Sequence, residues 1–326
     1  MNRFWQGELE IQQTLAQITN MIRAAVLPAS PYIRPILLEL ADNRGKMLRP
    51  AMIYIASLIN IAEDREDKLV FQMASAMEML HMASLVHDDV IDESSTRRGK
   101  PTIQIQAGVK KAVVAGDYLL TRAFSQLTIQ SEEIDPEIVK NSICRLCDSE
   151  IDQDSEMWDF SISETRYLRR IAGKTASLFS LSLYLGAAAV KAPESVQFLL
   201  RRIGYGIGIT FQIQDDILDY VGDSRTLGKP SGNDLRCGIA TLPLIYAMNA
   251  DTDGKLEQFL KNRKKINKKQ AAGIVRRVTE LGGLSKAEEK SEFYRKRVLS
   301  DINKLGNNET SRLLHFIMER LDKRIS

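Results

Sequence analysis

Apolar residues recur at intervals of three and four along most of the chain, which is the periodicity of an amphipathic α-helix. The stretch 119–127 shows this clearly, with apolar residues at Leu119, Leu120, Ala123, Phe124 and Leu127. Proline is absent over intervals long enough for helices of several turns. Because alternating apolar and polar segments bounded by hairpin turns are missing from the sequence, the pattern predicts an all-α fold.

The helical pattern continues without a Gly/Ser-rich linker, a low-complexity tract or a fixed-period repeat. We therefore expect residues 1–326 to form a single large helical domain, a size at which roughly 75% of the unfolded surface can be buried. The longest apolar run without a charge, 175–190, has 16 residues. It predicts a buried helix, since roughly 20 residues are needed to span a bilayer. The first residues of the chain carry charges where a signal peptide would have its apolar region, so a cytoplasmic protein is expected.

Charge is nearly balanced overall but unevenly distributed. The 45 basic and 42 acidic side chains give a net charge of +3, whereas residues 255–326 carry 19 basic and 9 acidic side chains. Solvated helix faces explain such a segment, and aromatic residues are not interleaved with the charges as they are on nucleic-acid surfaces. We expect no nucleic-acid partner and at most peripheral contact with an anionic membrane.

The cysteines and histidines favour neither disulfides nor zinc. Cys144, Cys147 and Cys237 cannot form an even set of disulfides, and three histidines offer few further ligands. Cysteines three residues apart on one helix are usually buried packing residues, and this is the role expected for Cys144 and Cys147.

Two acidic clusters, Asp88–Asp92 and Asp215–Asp219, share the pattern D-D-x-x-D within helical stretches. On a helix the first and last aspartates of each cluster share a face, whereas Asp89 and Asp216 are turned about a quarter-circle away. Like charges at this spacing repel and aspartate is a poor helix former, so a compensating cation is expected. Carboxylates on helices suit Mg²⁺, which keeps several waters and shares the phosphate oxygens of a bound ligand.

Basic groups stand where they can bind phosphate. Lys46 and Arg49 precede Pro50, which is expected to open a helix whose free backbone NH groups and positive end add to an anion site. Arg97 and Arg98 follow the first acidic cluster in a polar loop, where both can bind phosphate oxygens bidentately.

Two further lysines lie beside glycines. Lys174 is part of G-K-T and Lys229 is part of G-K-P, and neither context matches a phosphate-binding P-loop. Together with the acidic clusters, the basic groups indicate a site for a diphosphate and magnesium. Gly204 and Gly208 belong to G-Y-G-I-G and are expected to permit close helix packing.

The ordered motifs resemble those of trans-isoprenyl diphosphate synthases over about residues 40–250. They read GKMLRP from Gly45, HMASLVHDDVIDESSTRRGKPT from His81, AGDYLL around Asp117, GKT from Gly173, FQIQDDILD from Phe211 and GKPSGNDLR from Gly228. The resemblance implies roughly a dozen helices around a central cavity, a dimer and Mg²⁺. The chain departs from the family pattern at Arg44, where glycine is common, and at Ile239, where a lysine often contacts diphosphate.

The resemblance also implies roles for individual residues. Mg²⁺ would be bound by Asp88, Asp92, Asp215, Asp216 and Asp219. Isopentenyl diphosphate would be bound by Lys46, Arg49, His81 and Arg98, and an allylic diphosphate by Arg97, Lys174 and Lys229. Catalytic roles would fall on Lys174, Thr175, Phe211 and Gln212. In the implied head-to-tail condensation, the departing diphosphate is stabilised electrostatically, and the allylic cation is captured by the double bond of the second substrate.

Ala83 and Ser84 are predicted to determine product length. They precede Asp88 by about one helical turn, on the wall that would face the growing chain. Large aromatic residues at these positions limit the product in short-chain members of the family. The small residues here predict a long-chain all-trans polyprenyl product, unless they only permit tight helix packing.

Two other functions remain open at this stage. The chain could be the catalytic subunit of a heteromeric synthase, active only with a non-catalytic partner, because both acidic motifs are intact. Otherwise a homodimer is expected. A class I terpene cyclase also uses D-D-x-x-D and Mg²⁺, but its second metal motif normally mixes Asn, Ser and Glu, and it needs no second diphosphate site.

Overall fold

The computed structural model describes residues 3–43, 45–59, 67–97, 99–127, 134–221, 232–261 and 263–322. Helices make up nearly all of the regular structure in these residues, which confirms the all-α prediction. The chain divides into two compact units, each assembled from three segments. The first unit comprises Met1–Pro136, Ser182–Arg201 and Asn308–Leu313, and the second comprises Glu137–Leu181, Arg202–Asn307 and Leu314–Ser326. That these form one domain around a central cavity stays a prediction.

The first unit begins with a short 3-10 helix, Arg3–Trp5, and continues with helices α1 to α6. Their bounds are Leu9–Val26 (α1), Arg34–Asp42 (α2), Leu48–Ser57 (α3), Asp67–Ile91 (α4), Ile103–Ala107 (α5) and Val109–Leu127 (α6). Helix α4 packs against α1, α3 and α6, and every residue from Met73 to Leu80 is buried, so all of its faces are covered there. It is long and apolar enough to cross a bilayer, but 67% of its most apolar window is buried inside the protein.

A small hairpin follows α4, where the sequence predicted only a polar loop. Strand β1 (Thr96–Arg97) pairs antiparallel with β2 (Lys100–Pro101), so that Thr96 lies opposite Pro101. Two residues per strand are too few for an alternating pattern to be visible in the sequence.

The second unit contains most of the remaining helices. Their bounds are Pro136–Ser155 (α7), Glu164–Ile171 (α8), Asn233–Arg236 (α11), Leu242–Ala250 (α12), Lys255–Leu260 (α13), Lys268–Glu280 (α14) and Gly283–Asn303 (α15). Three helices contribute residues to both units: Ser177–Ala189 (α9), Glu194–Val221 (α10) and Glu309–Asp322 (α16). A π-helical turn, Ala172–Ala176, connects α8 directly to α9.

Two packing predictions from the sequence are confirmed. The apolar run is buried from Thr175 to Ala188. A Cβ atom at Gly204 would lie 2.5 Å from the carbonyl oxygen of Phe179, and one at Gly208 would lie 2.5 Å from the Cα of Ala176. Both distances are far below van der Waals contact, so α10 approaches these residues closely because the two glycines lack side chains.

The expected burial of Cys144 and Cys147 is wrong. Both cysteines are exposed, because the buried side of α7 is formed by Val139, Ser142, Leu146 and Ser149. A spacing of three places two residues near one another on a helix, but it does not decide which face is covered.

Candidate active site

The first acidic cluster lies at the carboxyl end of α4. Asp88 is half-buried, Asp89 is 7% exposed, and Asp92 is exposed in the turn that follows the helix. The amide of Asp92 donates a hydrogen bond to the carbonyl oxygen of Asp88 at 2.8 Å, so the two aspartates keep their helical spacing. The carboxyl end of a helix carries partial negative charge, which adds to the repulsion between the aspartates and favours a cation.

Asp89 forms contacts inside the protein. The Nε atom of Arg97 lies 2.8 Å from both carboxylate oxygens of Asp89, and the arginine Nη2 lies 2.8 Å from Oδ1. The backbone carbonyl of Asp89 also accepts hydrogen bonds from the Gln104 side chain and the Ser94 amide. The second aspartate of the motif therefore fixes the hairpin that carries Arg97. Arg98, like Arg44, lies outside the described residues.

Helix α3 begins at Leu48, two residues before Pro50, close to the start expected from the sequence. Its N-cap residue, Met47, has a φ angle of 50° and a left-handed backbone conformation. Residues other than glycine seldom adopt this conformation, and it is found preferentially at functional sites. The strained residue lies between the two predicted phosphate-binding cations.

Those cations, Lys46 and Arg49, are both partly buried. Burial lowers the pKa of Arg49 to about 10, and the nearby carboxylate of Glu78 offsets part of this effect. The guanidinium therefore remains charged at neutral pH. The ammonium nitrogen of Lys46 lies 5.4 Å from the ring centroid of Phe4, within the range of a cation–π contact.

A cavity of about 70 Å³ in the first unit brings several predicted residues together. It is lined by residues that include Gly45, His81, Asp89 and Arg97. His81 stands seven residues before Asp88 on α4. His81, the predicted isopentenyl diphosphate contact, and Arg97 therefore line the same cavity.

The two predicted chain-length residues differ in their surroundings. Ala83 is fully buried, whereas Ser84 is half-buried and its hydroxyl donates a hydrogen bond to the carbonyl oxygen of His81 at 2.9 Å. Earlier on the same helix, Ala76, Met77, Met79 and Leu80 are at most 1% exposed. The role of Ala83 and Ser84 on the wall of a product channel stays a prediction.

The second acidic cluster lies near the carboxyl end of α10. Asp215 is exposed, Asp216 is 4% exposed and Asp219 is half-buried. The two carboxylate oxygens of Asp219 accept hydrogen bonds from the backbone NH groups of Asn233 and Asp234, each at 3.1 Å. Asp219 therefore fixes the start of α11. Lys229 lies outside the described residues.

Asp216 is held by two neutral donors. The hydroxyl of the fully buried Tyr167 donates to its Oδ2 at 2.7 Å, and the amide nitrogen of Gln212 donates to its Oδ1 at 2.8 Å. Burial raises the pKa of Asp216 to about 7, although both hydrogen bonds act in the opposite direction. The Thr175 hydroxyl in turn donates to the Gln212 side-chain oxygen at 2.7 Å. One chain of hydrogen bonds thus links the G-K-T motif to the second acidic cluster.

Lys174 lies in the π-helical turn and is half-buried. Its ammonium nitrogen is 2.8 Å from Oε2 of Glu150 on α7. Phe211, one residue before Gln212, has its ring centroid 5.6 Å from that of Phe179. Single π-helical turns occur frequently at functional sites, where they change which residues of a helix share a face.

Three polar residues that contact predicted site residues were not found from the sequence: Gln104 beside Asp89, Glu150 beside Lys174 and Tyr167 beside Asp216. Tyr167 had a usable signal, because it precedes Lys174 by seven residues, about two helical turns. A second buried element was also missed, in which Arg170 Nη1 lies 2.8 Å from Oε2 of Glu156, with both side chains at most 4% exposed.

Ile239 occupies the position where the family pattern often has a lysine. It is half-buried, and its amide donates a hydrogen bond to the carbonyl oxygen of Asp234 at 2.9 Å. This position therefore supports the α11 segment through its backbone and contributes no charge.

The carboxylates fit a magnesium ion that is shared with a phosphorylated ligand. Within the described ranges, no group of three or more acidic, histidine or cysteine side chains is arranged to hold a metal by itself. Mg²⁺ is commonly bound through one or two carboxylates together with phosphate oxygens and water, so a site completed by the substrate needs no larger protein cage.

Comparison with known proteins identifies close relatives. Residues 30–278 match the model of the family described as "Polyprenyl synthetase". The chain is 33% identical over 299 residues to "Heptaprenyl diphosphate synthase component 2" of Bacillus subtilis, a match that covers 90% of this chain and 83% of the relative. It is 36% identical over 245 residues to "Geranylgeranyl diphosphate synthase" of Saccharolobus solfataricus, covering 72% and 73%. The crystal structure of heptaprenyl diphosphate synthase from Staphylococcus aureus superimposes with a TM-score of 0.90 at 28% identity, covering 97% of this chain and 99% of that one.

Proposed function

Because the chain belongs to the polyprenyl synthetase family and is a prenyltransferase, we propose that it condenses isopentenyl diphosphate head to tail with an allylic diphosphate in a Mg²⁺-dependent reaction. The proposed product is a long-chain all-trans polyprenyl diphosphate. One observation carries the proposal. In both D-D-x-x-D clusters the second aspartate is buried and hydrogen-bonded to a side chain outside the D-D-x-x-D pattern, Arg97 or Tyr167, while the first is more exposed.

Asp88 and Asp92 in the first cluster, and Asp215 and Asp219 in the second, would hold Mg²⁺ on the diphosphate. When bound, the metal supplies positive charge that stabilises the leaving diphosphate. This support for the metal comes from the donor chemistry of the carboxylates and from their placement near helix carboxyl ends.

Arg97 and Lys174 would bind diphosphate oxygens directly. Each already contacts a carboxylate, since Arg97 is paired with Asp89 and Lys174 with Glu150. These partners hold the two cations in position before substrate binds, so less conformational freedom is lost when phosphate oxygens arrive. Lys46, Arg49 and His81 would bind the second diphosphate.

The reaction is tested by incubating the purified chain with isopentenyl diphosphate, Mg²⁺ and farnesyl or geranylgeranyl diphosphate. Chromatography of the dephosphorylated products reports both turnover and chain length. We expect products longer than the primer that require both substrates and are lost when Mg²⁺ is chelated. Consumption of the allylic diphosphate without isopentenyl diphosphate would instead indicate a terpene cyclase.

A heteromeric enzyme is the second candidate, and the name of the Bacillus subtilis relative, a "component 2", favours it. In that case the chain binds both substrates but yields little product until a non-catalytic subunit is added. Measuring the mass of the purified chain in solution alongside its activity separates an active homodimer from an incomplete assembly. The cytoplasmic location expected from the sequence stays a prediction.

Long-chain synthesis is tested by Ala83→Phe. Since Ala83 is fully buried on α4, the added ring should close the proposed channel and shorten the main product. Overpacking is expected to cost about 1–3 kcal/mol of stability. The matched control is Ala123→Phe, which places the same ring at a fully buried alanine on α6. An unchanged product length in a folded Ala83→Phe enzyme would remove this residue from the channel wall.

A further inference from the structure

A strongly basic surface in the second unit takes no part in the site described above. Six of the nine residues from 261 to 269 are lysine or arginine, and none is acidic. This segment runs from the end of α13 into the first turn of α14. Its exposed lysines, named here the lysine surface, are Lys261, Lys264, Lys265, Lys268 and Lys269.

The backbone beneath the lysine surface is well anchored. Leu260 is 3% exposed and Ile266 is 4% exposed, and both belong to the apolar core of the second unit. Asn267 and Gln270 cap α14 reciprocally, each side chain accepting a hydrogen bond from the other residue's backbone NH. Ile266, the only apolar residue within 261–269, is therefore buried in the core. A partner that binds this surface contacts charged side chains.

Other cations close to the lysine surface differ from its lysines, because they have partners within the protein. Lys255 lies 3.1 Å from Asp253, and Arg277 lies 3.0 Å from Asp251. The guanidinium of Arg263 lies 3.9 Å from the ring centroid of Phe259. In the part of the chain that the structure describes, by contrast, no lysine of the lysine surface has a carboxylate oxygen within 4.0 Å. The first turn of α14 also lacks an acidic residue, so the positive helix end adds to the local potential.

We infer that the lysine surface docks the protein on an anionic phospholipid membrane. The inference rests on the proposed function, because the substrates of that reaction dissolve in water whereas a long-chain polyprenyl product partitions into lipid. Lysine suits a diffuse layer of lipid phosphates, since its ammonium group is a compact point charge. Each lysine close to such a layer contributes roughly a fivefold gain in affinity. The absence of exposed aromatic side chains from 261–269 disfavours a nucleic-acid surface.

The test measures binding of the whole protein to vesicles by sedimentation, without substrates. Vesicles of phosphatidylcholine alone are compared with vesicles containing about 30% phosphatidylglycerol at low and high salt. The test variant is K264E/K265E. The matched control is K110E/K286E, which produces the same change in net charge at exposed lysines on α6 and α15.

We expect binding only to the anionic vesicles, weakened strongly by salt, lost at least tenfold in K264E/K265E and retained in K110E/K286E. Equal binding to both vesicle types, or equal losses in the two variants, would overturn the inference. So would binding to a single-stranded RNA oligonucleotide through Lys264 and Lys265 without vesicle binding. Both variants should keep normal turnover in detergent, since neither alters the proposed active site. Because binding is measured without turnover, an inactive chain that still binds vesicles contradicts only the proposed function.

Discussion

The two acidic clusters carry the same sequence pattern but differ in the groups that stabilise their buried second aspartate. Asp89 is paired with the guanidinium of Arg97, a permanent cation. Asp216 has the neutral donors Tyr167 and Gln212, and burial raises its pKa to about 7. The charge of Asp89 is therefore offset by a counter-charge, whereas burial shifts Asp216 towards its protonated form. Identical sequence motifs do not imply identical charge states, because the hydrogen-bond partners of the second aspartate lie outside the D-D-x-x-D pattern.

The largest expected effect comes from removing the first aspartate of either cluster. Asp88→Asn and Asp215→Asn should each reduce turnover roughly 100- to 1,000-fold, because each removes a proposed metal ligand. Product assays at saturating substrate and several Mg²⁺ concentrations measure this. Helical circular dichroism should stay unchanged, and Asp154→Asn, an exposed substitution on α7, is the control. Normal turnover in either variant would show that the clusters are not equivalent in metal binding.

A smaller effect is expected from Arg97→Gln, which probes the charged pair of the first cluster. The substitution removes a proposed diphosphate contact and leaves the buried Asp89 without its counter-charge. Loss of a charged hydrogen bond predicts roughly a tenfold to 100-fold fall in kcat/KM, mostly through KM for the allylic substrate. Arg97→Lys, which retains the charge but loses the bidentate geometry, should recover only part of this. A fall confined to kcat would argue against a ground-state diphosphate contact.

Tyr167→Phe probes the neutral pair of the second cluster and should cost about three- to tenfold in kcat. The lost hydroxyl normally lowers the pKa of Asp216, so the variant raises that pKa and should move the acidic limb of the pH–rate profile to higher pH. Tyr220→Phe is the matched control, because its hydroxyl is also buried but is hydrogen-bonded to Thr241. Equal shifts in both variants would show that a general packing change is responsible.

The last effect concerns the stability of the metal-free protein and leaves turnover aside. The folded pKa of Asp216, about 7, lies above its ordinary value of 3.8, so between these values the native state keeps a proton that the unfolded state has lost. Stability from this group therefore falls as pH rises, by at most about 1.4 kcal/mol per pH unit, until about pH 7. Asp216→Asn lacks this fall. Its stability relative to the wild type should increase from pH 5 to 7 in denaturant titrations, and a constant difference would show that Asp216 is already ionised.

Much of the helical fold was predictable because its periodic signal is local. The buried run 175–188, the packing glycines and the beginning of α3 follow from spacing and from proline alone. The contact between Tyr167 and Asp216 joins residues 49 positions apart, and no local pattern encodes it. Cys147 shows a different error, because the helix was predicted correctly but the residue was expected on its buried face and lies on its exposed face. Partners of buried charges depend on tertiary packing, and that is where the sequence interpretation was weakest.

The π-helical turn at Ala172–Ala176 determines which variants circular dichroism can distinguish from the wild type. Removing one residue from the turn would let α8 continue into α9 as a regular α-helix. Lys174 and Thr175 would then rotate relative to Glu150 and Gln212. Such a shortened protein would have a native helical content and yet be inactive. Circular dichroism therefore does not report the feature that orients Lys174.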